Sequence, residues 1–483
     1  MRLAALLVPG HLSVAIALTA ICGAPALADP KSDLFQPDVF GTENALKHRT
    51  GGLNDPGASE CPEPASPLSF KAAVDIALCR YPATRQAWAA ARQQAAALGS
   101  AESAWLPSIS GTASEVHTFG GQIVDATGAV ESGAQNTRDA AISLTWTLYD
   151  FGGRESRIKS ARHLLDSAAG TLDRTVQQTV LNVVQGYYGV VAGDATLAAA
   201  GTTEGVTTKS LEIAKALQTG GVATLADVLQ AQTAHDQAVL ARIQADAAAK
   251  TAHGTFAVSI GYDASIFFKI ETEAVPTEVP GLSARMNDLM AQAMEQRPDL
   301  AAARAQRDSA EADITTARSV GRPSISIQGG RSVSDTTGVP NQNYNQIGVY
   351  LTVPLFTGFT VAYGVRQAQA VLVQREAAVE QTRLAVTQDV WNSYYALDSA
   401  NQQLTATANL TKTAQDNQDA ALGRYQSGVG TILDVLTAQT AAANARQLRI
   451  NAELGWKVAR AQFALALGRL TSADPLLGDR SLP

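Results

Sequence analysis

The peptide GVATLADVLQAQT at residues 221–233 returns as GVGTILDVLTAQT at residues 428–440. The two copies begin 207 residues apart, and the same offset relates the Leu-Thr pair at Leu144 to the pair at Leu351. Self-similarity at a fixed period is typical of a chain built from copies of one structural unit. We therefore expect two halves of similar architecture, each containing this peptide.

The two halves differ in length at one place. The peptide PSIS at Pro107 recurs at Pro323, an offset of 216, so the first half carries nine extra residues between this peptide and the Leu-Thr pair. The segments that differ, 115–138 and 331–345, are rich in Gly, Ser, Thr and Asn, and we predict that both are loops. Each half then consists of a short helix, a helix after a proline, a strand, a loop, a strand, a very long helix, a sharp turn and a second long helix.

The N-terminus has the order of a secretory signal. Arg2 is followed by an apolar run at 12–21 and by Ala-Leu-Ala ending at Ala28, after which we expect cleavage. Cys22 is an alternative, as the acylated cysteine of a lipoprotein, but the bulky Ile21 stands where a small residue is expected. The apolar run of about ten residues is too short to cross a bilayer, and no later stretch reaches about 18 apolar residues. A mature chain that enters a membrane must therefore do so as strands.

These features divide the chain into six parts. They are a signal peptide (1–28), an irregular N-terminal segment (29–67), a first repeat (68–258, with a strand pair at about 107–149), an equatorial linker (259–281), a second repeat (282–469, with a strand pair at about 323–356) and a C-terminal tail (470–483).

Composition excludes one class of partner. The formal net charge is −7, and acidic and basic residues are interspersed without a basic stripe that would neutralise a phosphate backbone. Nucleic acid is therefore not expected to bind. Aromatic residues make up only 6% of the chain, which suits long helices better than a thick core.

Two cysteines remain after the signal. Cys61 and Cys79 would meet in an oxidising compartment, where a disulfide closing a loop of about 18 residues stabilises by about 3 kcal/mol. The alternative is that they are two unpaired small residues.

Period-two alternation marks the strands. The residues expected to face lipid are Ile142, Leu144, Trp146, Leu148, Val349, Leu351, Val353 and Leu355, with Ile347 continuing the series. The run in the second half matches the 9 to 11 residues that cross a bilayer at the tilt of a barrel. The alternation alone is also compatible with hairpins of a soluble sandwich.

Helix length argues against a globule. Residues 153–218 and 361–425 contain no proline, and each run would form a helix of about 100 Å. Apolar residues in the first run recur about every 3.5 residues, which predicts coiled packing. We expect helices 224–258 and 299–319 to stack end to end beside the first long helix. Helices 431–467 and 83–104 are expected to do the same beside the second.

Four strands cannot close a barrel with a lumen. Unpaired strand edges are not tolerated in lipid, because each unsatisfied backbone group there costs several kcal/mol. The barrel must therefore be shared between chains. Both strands of each hairpin run into long helices, so all helices leave the sheet on the same side. This arrangement predicts a continuous passage through barrel and helices.

Several motifs together resemble the TolC family of outer-membrane efflux and secretion channels. They are AL-x-x-x-P from Ala77 to Pro82, its variant from Ala293 to Pro298, LPSIS at Leu106, LTWTLYDFGG, LTVPLFTGF and the paired G-V-x-T-x-x-D-V-L turns. The resemblance implies a mixed α+β membrane protein: a homotrimer with a 12-strand outer-membrane β-barrel, continuous with a long periplasmic α-helical barrel of coiled-coil helices that is closed at its inner end. It also implies outer-membrane lipid, a periplasmic adaptor (membrane fusion protein) and an inner-membrane pump as partners.

The same resemblance assigns the two repeated turns to the inner tip of the tunnel. It makes Asp227 and Asp434 the acidic pore constriction. The expected tip and gating residues are Gly221, Thr224, Tyr425, Gly428, Gly430, Thr431 and Thr437. Two of them depart from the best-known family member, because Thr437 replaces an acid and Gly430 replaces an arginine of the latch, whereas Tyr425 matches. The mechanism of resting closure is therefore open.

Capping is a second interpretation of the two acids. Asp227 and Asp434 stand three residues after Thr224 and Thr431, the spacing of a capping box, and an acid there is stabilised by free N–H groups and the helix dipole. The two roles are compatible. Six inward-facing carboxylates in a trimer would favour cations.

Motifs for catalysis or metal binding are missing from the sequence. The histidines are scattered, Cys61 and Cys79 lack the neighbours of a zinc site, and neither GxSxG nor a phosphate-binding loop occurs. We therefore expect no enzyme activity, no metal and no cofactor. The functional alternative is a periplasmic coiled-coil adaptor or scaffold without barrel strands. Among export roles, the sequence does not separate drug or metal efflux from type I protein secretion.

Overall fold

The computed structural model describes residues 38–49, 61–124, 128, 130–271 and 285–470. The predicted signal peptide, its cleavage site and Cys22 lie outside the described residues, as does the tail from residue 471 onward.

The described chain consists of helices and one sheet. The helices are α1 (Thr42–Arg49), α2 (Phe70–Arg80), α3 (Pro82–Glu102), α4 (Gly153–Thr219), α5 (Leu225–Ser259), α6 (Met286–Gln296), α7 (Pro298–Ser319), α8 (Thr360–Gln426) and α9 (Ile432–Ala466). The strands are β1 (Ser108–Val124), β2 (Val130–Tyr149), β3 (Ser324–Thr336) and β4 (Val339–Thr352).

The long helices are confirmed within two residues of their predicted bounds. Helices α4 and α8 each have 67 residues, which corresponds to about 100 Å. Helices α5 and α9 each have 35 residues. The corresponding helices of the two halves therefore have equal lengths, and the residues from 272 to 284 between the halves lie outside the described chain.

Helices α5 and α7 both pack on α4, but they do not stack end to end as predicted. The start of α7 meets the end of α9, where Arg297 Nη1 donates to the Ala466 carbonyl at 3.4 Å. The end of α5 meets the junction of α2 and α3, where the Arg80 guanidinium lies 4.2 Å from the centre of the Tyr262 ring.

Ser160 of α4 meets Ser309 of α7 with their hydroxyl oxygens 2.9 Å apart. Farther along α4, Thr208 Oγ1 lies 3.2 Å from the Nδ1 atom of His235 in α5. The two shorter helices thus share one long partner, α7 near the sheet and α5 near the repeated turns.

The prediction for α3 is wrong within the chain. Residues 83–104 were expected beside the second long helix, but α3 packs on α4, and Thr84 Oγ1 lies 3.3 Å from Thr179 Oγ1. The reason is topological. Helix α3 leads into β1, β1 pairs with β2, and β2 continues into α4, so the hairpin brings α3 beside α4.

The main core lies midway along the long helices. Tyr187 is fully buried there among Phe70, Tyr188 and Phe256. The Tyr187 hydroxyl donates to the carbonyl of Glu271 at 2.6 Å, within the segment predicted as the linker. This core therefore joins α2, α4, α5 and the described part of the linker.

A disulfide joins Cys61 to Cys79, with Cα atoms 5.7 Å apart. Cys79 lies in the last turn of α2, whose residues Ala73, Val74, Ile76 and Ala77 belong to the main core. The bond therefore attaches Cys61, before α2, to the helix that contributes to this core.

The segment 29–67 is not wholly irregular, which corrects the prediction. Helix α1 packs on α3 and α4. Its buried Leu46 lies in a cluster with Trp88 and Leu165. The Arg92 guanidinium donates to Glu43 at 2.8 Å. An eight-residue helix with one large apolar anchor has too few turns to display a periodic pattern.

The strands form one antiparallel sheet in the order β1-β2-β3-β4. They run through both segments predicted to be loops, because β1 reaches Val124 and β2 begins at Val130. Cross-strand pairs replace the expected loop contacts, and Arg138 Nε donates to Glu115 Oε1 at 3.0 Å. Composition suggested turns, but the backbone groups of these residues are satisfied by strand pairing.

The second hairpin ends earlier than predicted. Strand β4 stops at Thr352, so Val353 and Leu355 lie beyond the ladder. Pro354 between them lacks a backbone N–H and cannot donate to a neighbouring strand.

Among the helices of the described residues, none carries an apolar stretch long and hydrophobic enough to cross a membrane.

A half-buried carboxylate on α4 makes stability depend on pH. Burial raises the pKa of Asp173 from 3.8 to about 6. The native chain therefore keeps this proton up to about pH 6, whereas the unfolded chain loses it near pH 4, so wild-type stability falls as pH rises through this window.

Replacing Asp173 with asparagine removes the cost of charging this site. We expect the variant to be more stable than wild type by about 1–2 kcal/mol at pH 8, after allowance for partial exposure, and equal to it at about pH 4. Thermal unfolding of both proteins at the two pH values measures the difference. An equal difference in stability between the two proteins at both pH values would contradict this prediction.

Candidate functional site

The strand register places apolar side chains from all four strands on one face of the sheet. Cross-strand partners share a face, so the register defines this apolar face row by row. The rows that pair Ile109 with Leu144, Trp146 with Ile327, and Ile327 with Val349 all belong to it. Its members are Ile109, Ile142, Leu144, Trp146, Tyr149, Ile325, Ile327, Ile347, Val349 and Leu351.

No element of the described residues covers the apolar face. Ile347 and Val349 are 84% and 70% exposed. From Ile142 to Tyr149 the apolar side chains extend about 23 Å along β2, close to the height of about 25 Å of a lipid-facing band, and Arg331 and Asn345 share the row of Ile142 at the far limit of this face. Leu148 is the exception among the expected lipid-facing residues of β2, because it lies in the register shift between Thr147 and Tyr149.

The opposite face is polar. Its rows include Ser108 with Thr145, and Thr145 with Gln328. Ser110 and Ser143 also meet there, with hydroxyl oxygens 2.8 Å apart. One apolar face and one hydroxyl-rich face are what a sheet between lipid and water requires.

Exposed aromatic side chains gather at the end of the sheet where strands meet helices, which we call the helical end. They are Trp105, Trp146, Tyr149, Phe151, Phe356 and Phe359. The Tyr149 and Phe151 rings are 4.7 Å apart, and those of Phe356 and Phe359 are 5.6 Å apart. Aromatic rings at this level are typical of the boundary between lipid and water.

A buried arginine fixes one strand–helix junction at this end. The Arg154 guanidinium donates to the carbonyls of Thr147 at 2.6 Å and Leu148 at 2.8 Å, and it lies 4.3 Å from the centre of the Trp105 ring. This contact ties α4, β2 and the end of α3 together. Arg154 could not be predicted from the sequence, because a lone arginine after a Gly-Gly pair carries no recognisable motif.

The two repeated turns lie at the opposite end of the helices. Helix α4 ends at Thr219, and Gly221 adopts a φ of 74°, which lets the Val222 N–H return to the Leu217 carbonyl at 2.9 Å. Gly428 has the same φ in the second turn. A positive φ favours glycine, so both glycines are required by the turn.

Both predicted capping boxes are present. The Asp227 N–H donates to Thr224 Oγ1 at 3.3 Å, and Asp227 Oδ2 accepts from the Thr224 N–H at 2.7 Å. Asp434 makes the same bonds with Thr431, at 3.2 Å each. Hydrogen bonds from Thr431, aided by the nearby charge of Arg424, lower the pKa of Asp434. That carboxylate therefore stays ionised at neutral pH.

The two helical hairpins pack together at this tip. Leu211, Val228, Tyr425 and Val435 come from α4, α5, α8 and α9 and form one buried cluster. Behind it, the Gln439 side-chain amide donates to Ser210 Oγ at 2.6 Å. The sequence-predicted acids, threonines and Tyr425 are therefore brought to one end of the molecule.

Tyr425 is buried, and its hydroxyl has no hydrogen-bond partner among the described residues. Burial and the negative charge of Asp227 raise the Tyr425 pKa. Gly430 lies against Arg424, because an added Cβ would stand 3.2 Å from the Arg424 Cβ. Thr437 is exposed one turn beyond Asp434.

The comparisons with known proteins agree with this geometry. The family model described as outer membrane efflux protein matches residues 73–261 and 289–469. Protein CyaE of Bordetella pertussis is 30% identical over 402 residues, covering 81% of this chain and 82% of that protein. The outer membrane protein TolC of Escherichia coli is 25% identical over 365 residues, covering 72% of each.

Solved structures show the same fold. The CmeC outer membrane channel of Campylobacter jejuni superposes with a TM-score of 0.73 at 17% identity, covering 88% of this chain and 93% of that one. VceC of Vibrio cholerae, an outer membrane protein, gives a TM-score of 0.71 at 17% identity, with 83% and 96% covered. With more than two thirds of its residues matched by the family model, the chain belongs to the outer membrane efflux protein family.

Proposed function

We propose that three copies of this chain form the exit duct of a tripartite efflux or type I secretion system. In this proposal a 12-strand barrel crosses the outer membrane and continues as a helical tunnel through the periplasm. The proposal rests on one observation. In the sheet, in the helices next to the sheet and in the helices near the tip, four elements lie side by side in an open row, and the outer elements of the three rows lie on the same two sides of the chain.

The open rows can be followed from layer to layer. The sheet ends at β1 and β4. Near the sheet the helices lie in the order α3-α4-α7-α8, and near the tip in the order α5-α4-α9-α8. Since α3 leads into β1 and α8 follows β4, the uncovered edges lie above one another. A second copy placed at one edge would therefore continue all three layers.

The number of copies follows from the size of the lumen. Two copies would give eight strands, and an eight-stranded barrel is filled by its own side chains. Three copies give twelve strands and leave room for a passage. In this arrangement α3 of one copy would cover α8 of its neighbour, which is the partner that α8 lacks within the chain.

The polar face of the sheet would line the barrel, and the apolar face would meet lipid. The aromatic residues at the helical end support this orientation, because they match the level of the lipid headgroups. A periplasmic adaptor without barrel strands would not need an exposed apolar sheet face, so this face favours the channel over the adaptor or scaffold alternative. An adaptor and an inner-membrane pump are the proposed partners at the tip, and the pump would choose the cargo.

The acidic constriction is proposed at Asp227 and Asp434. In a trimer the two positions would supply six carboxylates, and such a ring favours cations. The lowered pKa of Asp434 supports a permanent charge there.

Replacing both aspartates with asparagine tests the constriction. We expect single-channel recording in planar bilayers to show that the cation-over-anion permeability ratio falls several-fold toward one. The matched control replaces both with glutamate, which keeps charge and cap and should keep selectivity. An unchanged ratio in the asparagine variant would leave the two acids as helix caps only.

A further inference from the structure

The turn that joins β2 to α4, residues 150–153, lies between two arginines from different halves of the chain. Arg157 donates from Nε to the Gly153 carbonyl at 3.4 Å, and its Nη2 lies 3.7 Å from Asp150 Oδ2. Arg322, between α7 and β3, donates from Nη1 to the Phe151 carbonyl at 3.4 Å. Both guanidinium groups are exposed and carry five N–H donors each, so most of their donors point away from the protein's own acceptors.

Apolar rings stand next to these charges. Tyr149 belongs to the apolar face, is 52% exposed and contacts the Phe151 ring. The turn therefore presents rings toward the level of the lipid chains and guanidinium groups just beyond them. A phospholipid has the matching order, with acyl chains followed by a phosphate.

Positive charge is concentrated at this end of the sheet. Lys159 and Arg318 are exposed and form no ion pair with any residue in the described ranges. The nearby acids include Asp150, Glu155 and Asp313. Asp150 already accepts a hydrogen bond from the Arg154 N–H at 2.7 Å. At the hairpin end of the sheet, by contrast, acids and bases alternate. Glu115, Arg138, Asp139 and Asp335 lie there, and Arg331 lies nearer the middle of β3, opposite Ile142.

We propose that the 150–153 turn, with Arg157 and Arg322 on either side, binds the phosphate of an anionic phospholipid in the periplasmic leaflet of the outer membrane. The inference rests on the proposed function, because it requires that the sheet spans that membrane. Guanidinium groups suit this ligand, since they bind phosphate oxygens in pairs. Basic residues at an anionic membrane surface each strengthen binding about fivefold.

The chain carries its own reporters for a test. Trp146 Nε1 donates to the Trp105 carbonyl at 2.9 Å, and Trp105 stacks on Arg154 beside the turn. The full chain is reconstituted in vesicles that contain phosphatidylglycerol and phosphatidylcholine, with bromine on the acyl chains of one lipid at a time. The quenching of tryptophan fluorescence then gives the preference for phosphatidylglycerol at this level of the bilayer.

We expect wild type to prefer phosphatidylglycerol about fivefold or more at low salt. Arg157→Gln with Arg322→Gln should bring the preference to within about twofold of one, and lysine at both positions should largely restore it. The matched control, Arg138→Gln with Arg331→Gln, removes two positive charges that lie away from the helical end and should leave the preference unchanged. Circular dichroism of each variant checks that the helices remain folded.

Two results would overturn the inference. One is a wild-type preference near one, and the other is an equal loss in the variant and its control. In both cases quenching by either lipid would still place the tryptophans in the bilayer. If neither lipid quenches, the chain is not inserted, and the proposed function fails instead.

Discussion

Arginine in place of Ile347 is expected to destabilise the membrane-inserted protein by about 2–4 kcal/mol. Ile347 lies near the middle of β4 on the apolar face, in the row of Leu144 and away from the aromatic residues of the helical end, where the proposal places hydrocarbon. A charged side chain there loses its hydration, and its described cross-strand neighbours include no acid. Denaturant-induced unfolding of the protein in vesicles, followed by tryptophan fluorescence, measures the cost.

The matched control is Thr145→Arg on the polar face. That face would line a water-filled lumen, so the same change should cost less than about 1 kcal/mol. The comparison also separates channel from adaptor. In a water-soluble adaptor Ile347 would be an ordinary exposed residue, and both variants would lie within about 0.5 kcal/mol of wild type.

Alanine in place of Arg297 is expected to cost about 3 kcal/mol of unfolding free energy. The Arg297 side chain is 3% exposed at the start of α7. Its Nη2 lies 2.6 Å from Asp299 Oδ2 and 3.0 Å from Asp389 Oδ2 in α8. Truncation would leave Asp299, whose side chain is 26% exposed, without its hydrogen-bonded counter-charge and with only the nearby charge of Arg174.

The effect of Arg297 should depend on pH. Burial alone would raise the pKa of Asp299, but the hydrogen bonds and charge of Arg297 outweigh it and lower that pKa. The stabilisation is therefore fully present above about pH 4 and is lost as pH falls through the lowered pKa. Thermal unfolding of wild type and variant at pH 7 and pH 3 measures both effects.

Arg383→Ala is the matched control on the same helix as Asp389. Arg383 pairs with Glu380 at the surface, and exposed pairs contribute less than about 1 kcal/mol. A cost for Arg297→Ala as small as that of the control would show that the buried cluster does not join α7 to α8.

The helical part of the fold could be predicted because its signals are local. The capping boxes that begin α5 and α9 follow from Thr224 and Thr431 with an acid three residues later. The absence of proline from α4 and α8 set their minimum length. Such features depend on a few neighbouring residues, and they needed no knowledge of tertiary contacts.

The hairpins and buried arginines required long-range information. Residues 115–138 have the composition of a loop, and only pairing between distant residues such as Asp139 and Ser334 extends the strands through them. Arg154 and Arg297 are single polar residues whose burial arises from packing among several elements. The partner of α3 depends on strand order, which local periodicity does not encode.

In the proposed trimer the sheet edges of different copies meet in one barrel. Ser108 at the start of β1 and Thr352 at the end of β4 lie on the same face at opposite edges. Within one chain they are separated by three strand spacings, about 14 Å, and by four residues along the strands, about 13 Å, which together are too far for a disulfide. In a shared barrel they would come close across the contact between two copies.

The direct test is crosslinking of the full chain carrying Ser108→Cys and Thr352→Cys. The protein is oxidised in outer membranes, and the products are separated by denaturing electrophoresis without reductant. A short bis-maleimide linker bridges the pair where the strands are offset. We predict covalent dimers and trimers and no larger species, with each single-cysteine variant giving no trimers. A folded double variant that stays monomeric under both treatments would contradict the shared barrel.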